Sequence, residues 1–542
     1  MTNRTSAALA GILFLAALMM VASLGRWQLR GSDEPRYAQV AREMLERRAY
    51  ILPHLNGEPY PDKPPLYFWL VALFSKPFGD VTALSARLPA ALAACGMLLL
   101  LFLFGRRLFD TQTGILAAGI LFTTEQFFSS ATIARLDTLF AFWIMLALYL
   151  LYRGCSETPP RYGFCLLGWA CTAGAILTKG PVGLVLPLLI MVMFLLLTKR
   201  RYAIRQLSLG TGLLFAAGIC CLWVIPACLQ GGVDYTRNIL FRQSFGRVVE
   251  SFAHEAPFYF YLLNFPIDFL PWTIFLPAAL LYLWRTRARH PGVVLPLIWA
   301  ATVFIFFSCL SGKRNVYLLP LYPAAALIMA WFLKDVAGTE TASQQVCRWK
   351  LMVAPSYLTG IAYLAAGGGL IAFAFGMLRP VPIPAFSALF LIAAGCTVLA
   401  LGGYVILKLF RSKMHPLQTV PILIGTCSLV LCLGLWVVMP AMDNRPEREF
   451  CAKIRTLVQP TDPLYASFEP EYFNYFLHRS PIPVIRDLDA AQRLVQSDEK
   501  IYFLLKDKDV KKLPDDIRQR LYTIDVAEIG HKTIYFLSNK PL

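Results

Sequence analysis

The chain is a succession of apolar runs, each about 15 to 25 residues long and separated by short charged loops, and this leaves few folds open. A run of that length crosses the hydrocarbon core of a bilayer as one helix. No water reaches the backbone there, so each run must satisfy its own N–H and C=O groups, which a helix does. Hydrophobic residues make up 57% of the 542 residues and charged ones only 15%, too few for a soluble chain of this size. The expected fold class is a polytopic α-helical membrane protein. Spans are expected near 7–24, 88–104, 114–128, 139–152, 164–177, 182–197, 209–229, 270–284, 293–310, 316–333, 351–378, 386–409 and 420–439, about thirteen in all.

The net charge of +18 does not point to nucleic acid. Arg106-Arg107, Lys199-Arg200-Arg201, Arg285, Arg287, Arg289, Arg411 and Lys413 fall in alternate short loops, the positive-inside pattern of a cytoplasmic face. The amino terminus is then expected in the cytoplasm and the carboxyl terminus outside. Most of the 13 cysteines lie in apolar runs and no C-x-x-C occurs, so they read as small buried residues rather than a disulfide framework. The run 7–24 resembles a signal peptide. It lacks a small-x-small cleavage pattern before Trp27 and is expected to stay as the first span.

Two hydrophilic regions interrupt this pattern. The outer loop 26–87 contains an amphipathic stretch, 34–48, with Tyr37, Val40, Ala41, Met44 and Leu45 at helical spacing, and a short apolar stretch, 66–74. Both are expected as helices in the interface plane. From Pro440 onward the composition turns hydrophilic. Residues 441–542 alternate strand-like segments (464–468, 483–485, 501–505, 533–537) with helix-like ones (471–477, 490–495, 515–521). A small outer α/β domain beside a transmembrane part, 1–440, is the expected organisation.

The charged constellations fall on the expected outer face. Asp33 and Glu34 precede Pro35, Arg36 and Tyr37. Ser32 or Asp33 could cap the following helix, or Asp33 could act as a general base or transition-state partner. Asp62-Lys63-Pro64-Pro65 presents an acid and a base on a proline-stiffened backbone, and Lys63 suits a phosphate as a point charge. Arg135-Leu136-Asp137, Thr178-Lys179-Gly180 and Lys313-Arg314-Asn315-Val316-Tyr317 follow, each at the outer end of spans. Local ion pairing and snorkelling are the plain alternatives. The loop from Gln230 adds Arg237, Arg242, Arg247, His254 and Glu255; His254 with Asp62 is a weak metal signal. Cations and carboxylates beside a hydrocarbon boundary suit group transfer from a lipid-linked phosphate sugar.

The segments Asp33-Glu34-Pro35-Arg36-Tyr37-Ala38, Asp62-Lys63-Pro64-Pro65-Leu66-Tyr67, Arg135-Leu136-Asp137, Thr178-Lys179-Gly180, His254-Glu255-Ala256-Pro257-Phe258-Tyr259 and Tyr317-Leu318-Leu319-Pro320 resemble those of GT-C glycosyltransferases. This group takes in the lipid A aminoarabinose transferases and protein O-mannosyltransferases. The resemblance implies a polyprenyl (undecaprenyl) phosphate sugar donor, transfer at the outer leaflet of a bacterial inner membrane, and aminoarabinose moved to a lipid A phosphate. It implies catalytic roles for Asp33 and Asp137. Glu34, Arg36, Tyr37, Asp62, Lys63, Lys179, His254, Arg314 and Tyr317 would contact substrate, and a divalent metal ion would sit at Asp62 and His254. Two positions depart from the pattern: Asp62 stands where glutamate is commoner, and Gly312-Lys313-Arg314-Asn315 replaces a Gly-Lys-Leu-Pro type segment. Another envelope acceptor, such as a protein hydroxyl or a glycan, is the second reading. A lipid-linked sugar flippase is the third, disfavoured because the spans hold few ionisable residues.

Overall fold

The computed structural model describes residues 3–541 apart from 158, 160, 201–202, 241–254, 287–289, 339–351, 378–384, 412–418, 442, 444–445 and 530–531. Among the described residues, nine helices are long and apolar enough to cross a membrane. A tenth span arises if the pair Phe260–Asp268 and Trp272–Arg285, bent by 110°, is taken as one. Shorter apolar helices cover Leu66–Phe78, Thr111–Phe122 and Val182–Leu197. The protein is thus a polytopic helical membrane protein. Where described, the expected runs fall chiefly on helix, and one, 114–128, is broken.

The first half runs through α1 (Asn3–Ser23), α2 (Asp33–Arg47), the strands β1 (His54–Leu55) and β2 (Glu58–Pro59), and α3 (Leu66–Ser75). It continues through α4 (Ala83–Leu108), α5 (Thr111–Phe122), α6 (Glu125–Ala131), α7 (Leu136–Ser156), α8 (Tyr162–Lys179) and α9 (Val182–Leu197). The expected span 114–128 is two helices. The Thr123 and Thr124 hydroxyls donate to the carbonyls of Gly119 and Ile120 at 2.7 and 2.8 Å, and such local bonds compete with helix continuation. The expected run 270–284 starts at the bend that separates Phe260–Asp268 from Trp272–Arg285. Helices α4 and α5 approach backbone to backbone, because a Cβ on Gly105 would lie 2.7 Å from the Gly114 Cα; small residues permit this contact where bundles pack in lipid. Leu222 and Leu229 of helix Leu209–Arg237 are 79% and 80% exposed, as lipid-facing positions should be.

The loop 26–87 forms the two expected helices, with a difference. Tyr37, Ala38, Val40, Ala41 and Met44 of α2 are buried as the periodicity demands, but so are Gln39, Arg42 and Glu43. Much of the polar face of α2 is thus covered, and only its last turn, Glu46 and Arg47, stays exposed. Arg42 donates to Asp80 at 2.7 and 3.0 Å and to the Tyr475 carbonyl at 2.8 Å. Glu43 accepts from the backbone N–H groups of Asn56 and Gly57 at 2.8 and 3.0 Å and from the Ser480 hydroxyl at 2.7 Å. Asn56 and Gly57 form the hairpin turn of β1–β2, both at positive φ (55° and 83°), as an Asn-Gly turn favours.

Residues 446–538 build a four-stranded sheet in the order β3 (Leu464–Ala466), β4 (Tyr502–Lys506), β6 (Lys532–Ser538), β5 (Tyr522–Ile529). The β3–β4 pair is parallel and the others antiparallel. Alternation along β4 serves two cores. Tyr502 and Leu504 pack with Phe450, Ile454, Phe473 and Phe536, while Phe503 and Leu505 pack with Val495, Leu513, Ile517 and Leu537. The segment 483–485 makes only an isolated bridge, Ala466 to Val484. Strand β5 and helix Pro446–Leu457 were not expected. The helix is rich in charge, with five charged residues in twelve, and β5 joins the sheet beside β6.

Candidate active site

Asp33 is the first residue of α2, and Ser32 before it makes no side-chain cap bond. The Asp33 carboxylate turns instead to arginines. Its Oδ1 lies 2.5 Å from Arg36 Nη2, and its Oδ2 lies 2.9 Å from Arg314 Nη2 and 3.1 Å from Arg135 Nη2. Those three cations come from three elements: Arg36 one turn along α2, Arg135 at the start of α7, and Arg314 ahead of the 3-10 helix Asn315–Leu321. The Tyr261 hydroxyl donates to the Arg314 carbonyl at 3.2 Å and accepts from its N–H at 3.3 Å, which fixes that backbone. Asp33 keeps only 8% of its side-chain surface, whereas the arginines keep 20 to 30%. Burial pushes the Asp33 carboxyl up, but Arg135 and Arg314, then Arg36, outweigh it and hold it below the ordinary carboxylate value. Three guanidinium groups about one carboxylate leave a local excess of positive charge.

Asp137 and Lys179 form a second pair. Lys179 ends α8 and reaches Asp137, in the first turn of α7, at 2.5 Å. The ammonium also lies 4.3 Å from the Tyr317 ring centre and 5.2 Å from that of Phe140. The two groups adjoin, since Asp137 and Tyr317 act electrostatically on Arg314, and Asp33 and Asp137 both act on Tyr37. Tyr37 is buried against Tyr67 and Phe68, and burial raises its hydroxyl well above the ordinary value.

A residue from the far end of the chain completes this wall. Glu471 opens helix Glu471–Leu477 and places Oε2 3.4 Å from Arg36 Nε. Burial raises its carboxyl, partly offset by Arg36. Asp62 lies within electrostatic reach of Glu471 and of buried Tyr60, and Lys63 is half-buried beside it.

Glu34 requires a correction. The sequence reading placed it among substrate contacts, but it is 1% exposed and fully engaged. Both oxygens bond Arg87 at 2.9 Å, and each also accepts a backbone N–H, from Ala134 or from Arg30, at 2.6 Å. Arg87 spends its remaining donors on the carbonyls of Leu24, Trp27 and Gln28. Glu34 therefore ties the loop to α1, α4 and the turn before α7. Arg135, for which local pairing with Asp137 is the plain alternative, pairs with Asp33. Lys313, adjacent to Arg314, points inward to the carbonyls of Ala256 and Leu310. Glu471 carries no local signal in the sequence. His254 lies outside the described residues, and among the described residues no group of three or more His, Cys, Asp or Glu could hold a metal ion.

Comparison with known proteins gives a consistent picture. The family model for dolichyl-phosphate-mannose-protein mannosyltransferase matches residues 62–226. The undecaprenyl phosphate-alpha-4-amino-4-deoxy-L-arabinose arabinosyl transferase of Edwardsiella ictaluri is 33% identical over 317 residues, 58% of this chain and 56% of the relative. The protein of the same name from Serratia proteamaculans is 27% identical over 435 residues, 79% of this chain and 75% of the relative. The chain thus spans little more than half the length of the Edwardsiella protein it matches. In structure, it is similar to ArnT from Cupriavidus metallidurans bound to undecaprenyl phosphate, with a TM-score of 0.79, 19% identity, and coverage of 99% of this chain and 98% of that one. The chain shares the fold of ArnT, and its sequence relatives are arabinosyl transferases, in line with the resemblance.

Proposed function

We propose that this protein is a bacterial inner-membrane glycosyltransferase that moves a sugar from undecaprenyl phosphate to an envelope acceptor on the periplasmic side, and that the reaction is aminoarabinose transfer to a lipid A phosphate. The reading rests above all on the convergence of Arg36, Arg135 and Arg314 on Asp33, with the Asp137–Lys179 pair adjoining. Forked guanidinium donors match phosphate oxygens. In the proposed step, an oxygen of the acceptor phosphate bonds to the anomeric carbon. The bond from that carbon to the donor phosphate breaks, and undecaprenyl phosphate leaves with the electron pair. The arginines and Lys179 hold the phosphates and stabilise the charge on the leaving group.

Asp33 has two tasks in this scheme. It orders the three guanidinium groups, and its negative charge faces the positive charge that grows on the sugar ring. Its depressed carboxyl is a weak proton acceptor. That suits an acceptor that is already anionic better than a hydroxyl that must be deprotonated, and it supports the lipid A reading over the protein Ser/Thr one. The clustering of the paired charges at one end of the spans supports transfer over a flippase path. Tyr37, Lys63 and Tyr317 are assigned to the donor pocket. Of the expected metal pair Asp62 and His254, only Asp62 is among the described residues, and no step of this scheme passes through a metal ion; loss of transfer on chelation would bring one in.

We place 1–440 in the membrane and 441–542 outside it, with the amino terminus in the cytoplasm. Mass spectrometry of lipid A tests the core of the proposal in a host that makes the donor. The aminoarabinose mass should appear with the wild-type gene and vanish with Asp33→Asn. Unmodified lipid A alongside a new sugar on protein or glycan would transfer the assignment to the second acceptor.

A further inference from the structure

At the other end of α7, the same arrangement recurs. This helix has 21 residues and so runs about 30 Å from Asp137 to its last turn. There, Glu157 is ringed by three arginines from three elements. Arg107 of the last turn of α4 reaches Oε1 at 3.4 Å, Arg153 of α7 reaches the same oxygen at 3.0 Å, and Arg161 ahead of α8 reaches Oε2 at 2.6 Å. Among the described residues, no other carboxylate pairs with these arginines, so the cluster keeps an excess of two positive charges. Scattered interfacial cations follow from topology alone. Here three of them converge on one carboxylate, although Arg161 keeps 63% of its side-chain surface.

Two of the three also lie over aromatic rings. The Arg153 guanidinium lies 4.2 Å from the Phe164 ring centre and 5.9 Å from that of Tyr149, and Arg161 lies 5.9 Å from Phe164. A guanidinium stacked on a ring keeps its in-plane N–H groups for an anion. Beside the cluster, α8 exposes Tyr162, Leu166 and Leu167 at 61%, 43% and 56%. Cations set against an exposed apolar helix face match a head group joined to acyl chains, which a free ion would not need.

We propose that Arg107, Arg153 and Arg161 form a binding site for the phosphate of an anionic phospholipid at the membrane surface opposite the candidate active site, with Glu157 holding the arginines in place when no lipid is bound.

Native mass spectrometry of the full-length protein in detergent, titrated with phosphatidylglycerol and separately with phosphatidylcholine, tests this. The triple variant Arg107→Gln/Arg153→Gln/Arg161→Gln should bind phosphatidylglycerol about a hundredfold more weakly, with phosphatidylcholine unchanged. Should that variant fail to fold, Arg161→Gln, at an exposed position, should weaken binding about fivefold. Glu157→Gln should bind phosphatidylglycerol more tightly, because the competing carboxylate is gone; a cluster serving only internal ion pairing gives no such gain. Equal retention of phosphatidylglycerol by all variants overturns the proposal. Displacement of the lipid by equimolar inorganic phosphate overturns the lipid assignment and leaves a site for free phosphate.

Discussion

Glu471 Oε2 lies 3.4 Å from Arg36 Nε, so the hydrophilic carboxyl-terminal segment supplies one wall of the arginine cluster built on the loop 26–87. Arg36 is thereby held between two carboxylates, with Asp33 at 2.5 Å on the other side. The candidate site is complete only when the two ends of the chain are packed together.

Removing the charge of Asp33 should abolish function while sparing the fold. Asp33→Asn leaves three guanidinium groups without their common partner, and transfer should fall about a hundredfold or more. Lipid A mass spectrometry together with detergent size-exclusion of the variant separates lost activity from lost protein.

Glu471→Gln should act more gently. The pair is partly exposed, at 20% and 33% of side-chain surface, so its direct contribution to stability is small, about 1 kcal/mol or less. Arg36 would lose one of its two anchors, and the apparent donor KM should rise about threefold to fivefold with kcat nearly kept. An unchanged KM would show that Glu471 does not position Arg36.

The two carboxylates should respond to acid in opposite order. Glu471 has a raised carboxyl, from burial first, with Arg36 opposing. It takes up its proton above the ordinary 4.5, and the hold on Arg36 weakens first as pH falls. Asp33 is depressed, because Arg135 and Arg314 outweigh burial. The stability it contributes is fully present above its unfolded value near 3.8 and is lost only as pH falls below that, through the folded value. The early, mildly acidic change in donor KM should therefore disappear in Glu471→Gln, which a pH series of wild type and variant would reveal.

The Glu34–Arg87 pair, with 1% and 0% of its side-chain surface exposed, should govern folding. Truncating either partner alone leaves a buried charge unpaired and costs about 3–5 kcal/mol. Arg87→Ala and Glu34→Ala should each sharply reduce the yield of folded protein. The double variant Glu34→Leu/Arg87→Met should recover part of it, read by thermal unfolding in detergent. Equal loss in singles and double would refute charge as the cause.

Glu43→Ala should loosen the carboxyl-terminal segment from the loop. Its oxygens hold the N–H groups of Asn56 and Gly57 and the Ser480 hydroxyl, and losing a buried acceptor strands those donors at about 1–3 kcal/mol each. Limited proteolysis should cut the variant within 441–480 faster than wild type.

The membrane character and the positions of the apolar helices followed from the sequence, because run length and composition decide whether a segment can bury itself in hydrocarbon. The helices α2 and α3 of the first loop were legible too, from periodicity and from the apolar run 66–74. So was the concentration of charge around Asp33, Asp137, Lys179 and Arg314, since the motifs are local. What pairs with what was not. Arg135 is two residues from Asp137 and yet bonds Asp33. Glu34 neighbours Asp33 and yet faces Arg87, 53 positions away. Glu471 meets Arg36 from a segment with no motif of its own. Adjacent residues on a helix point in different directions, and partners far apart in the chain meet only once the helices have packed. The sequence by itself determined which charges gather in the loops between the apolar runs; only the tertiary structure decided which of them are locked in the core and which surround the arginine cluster at Asp33.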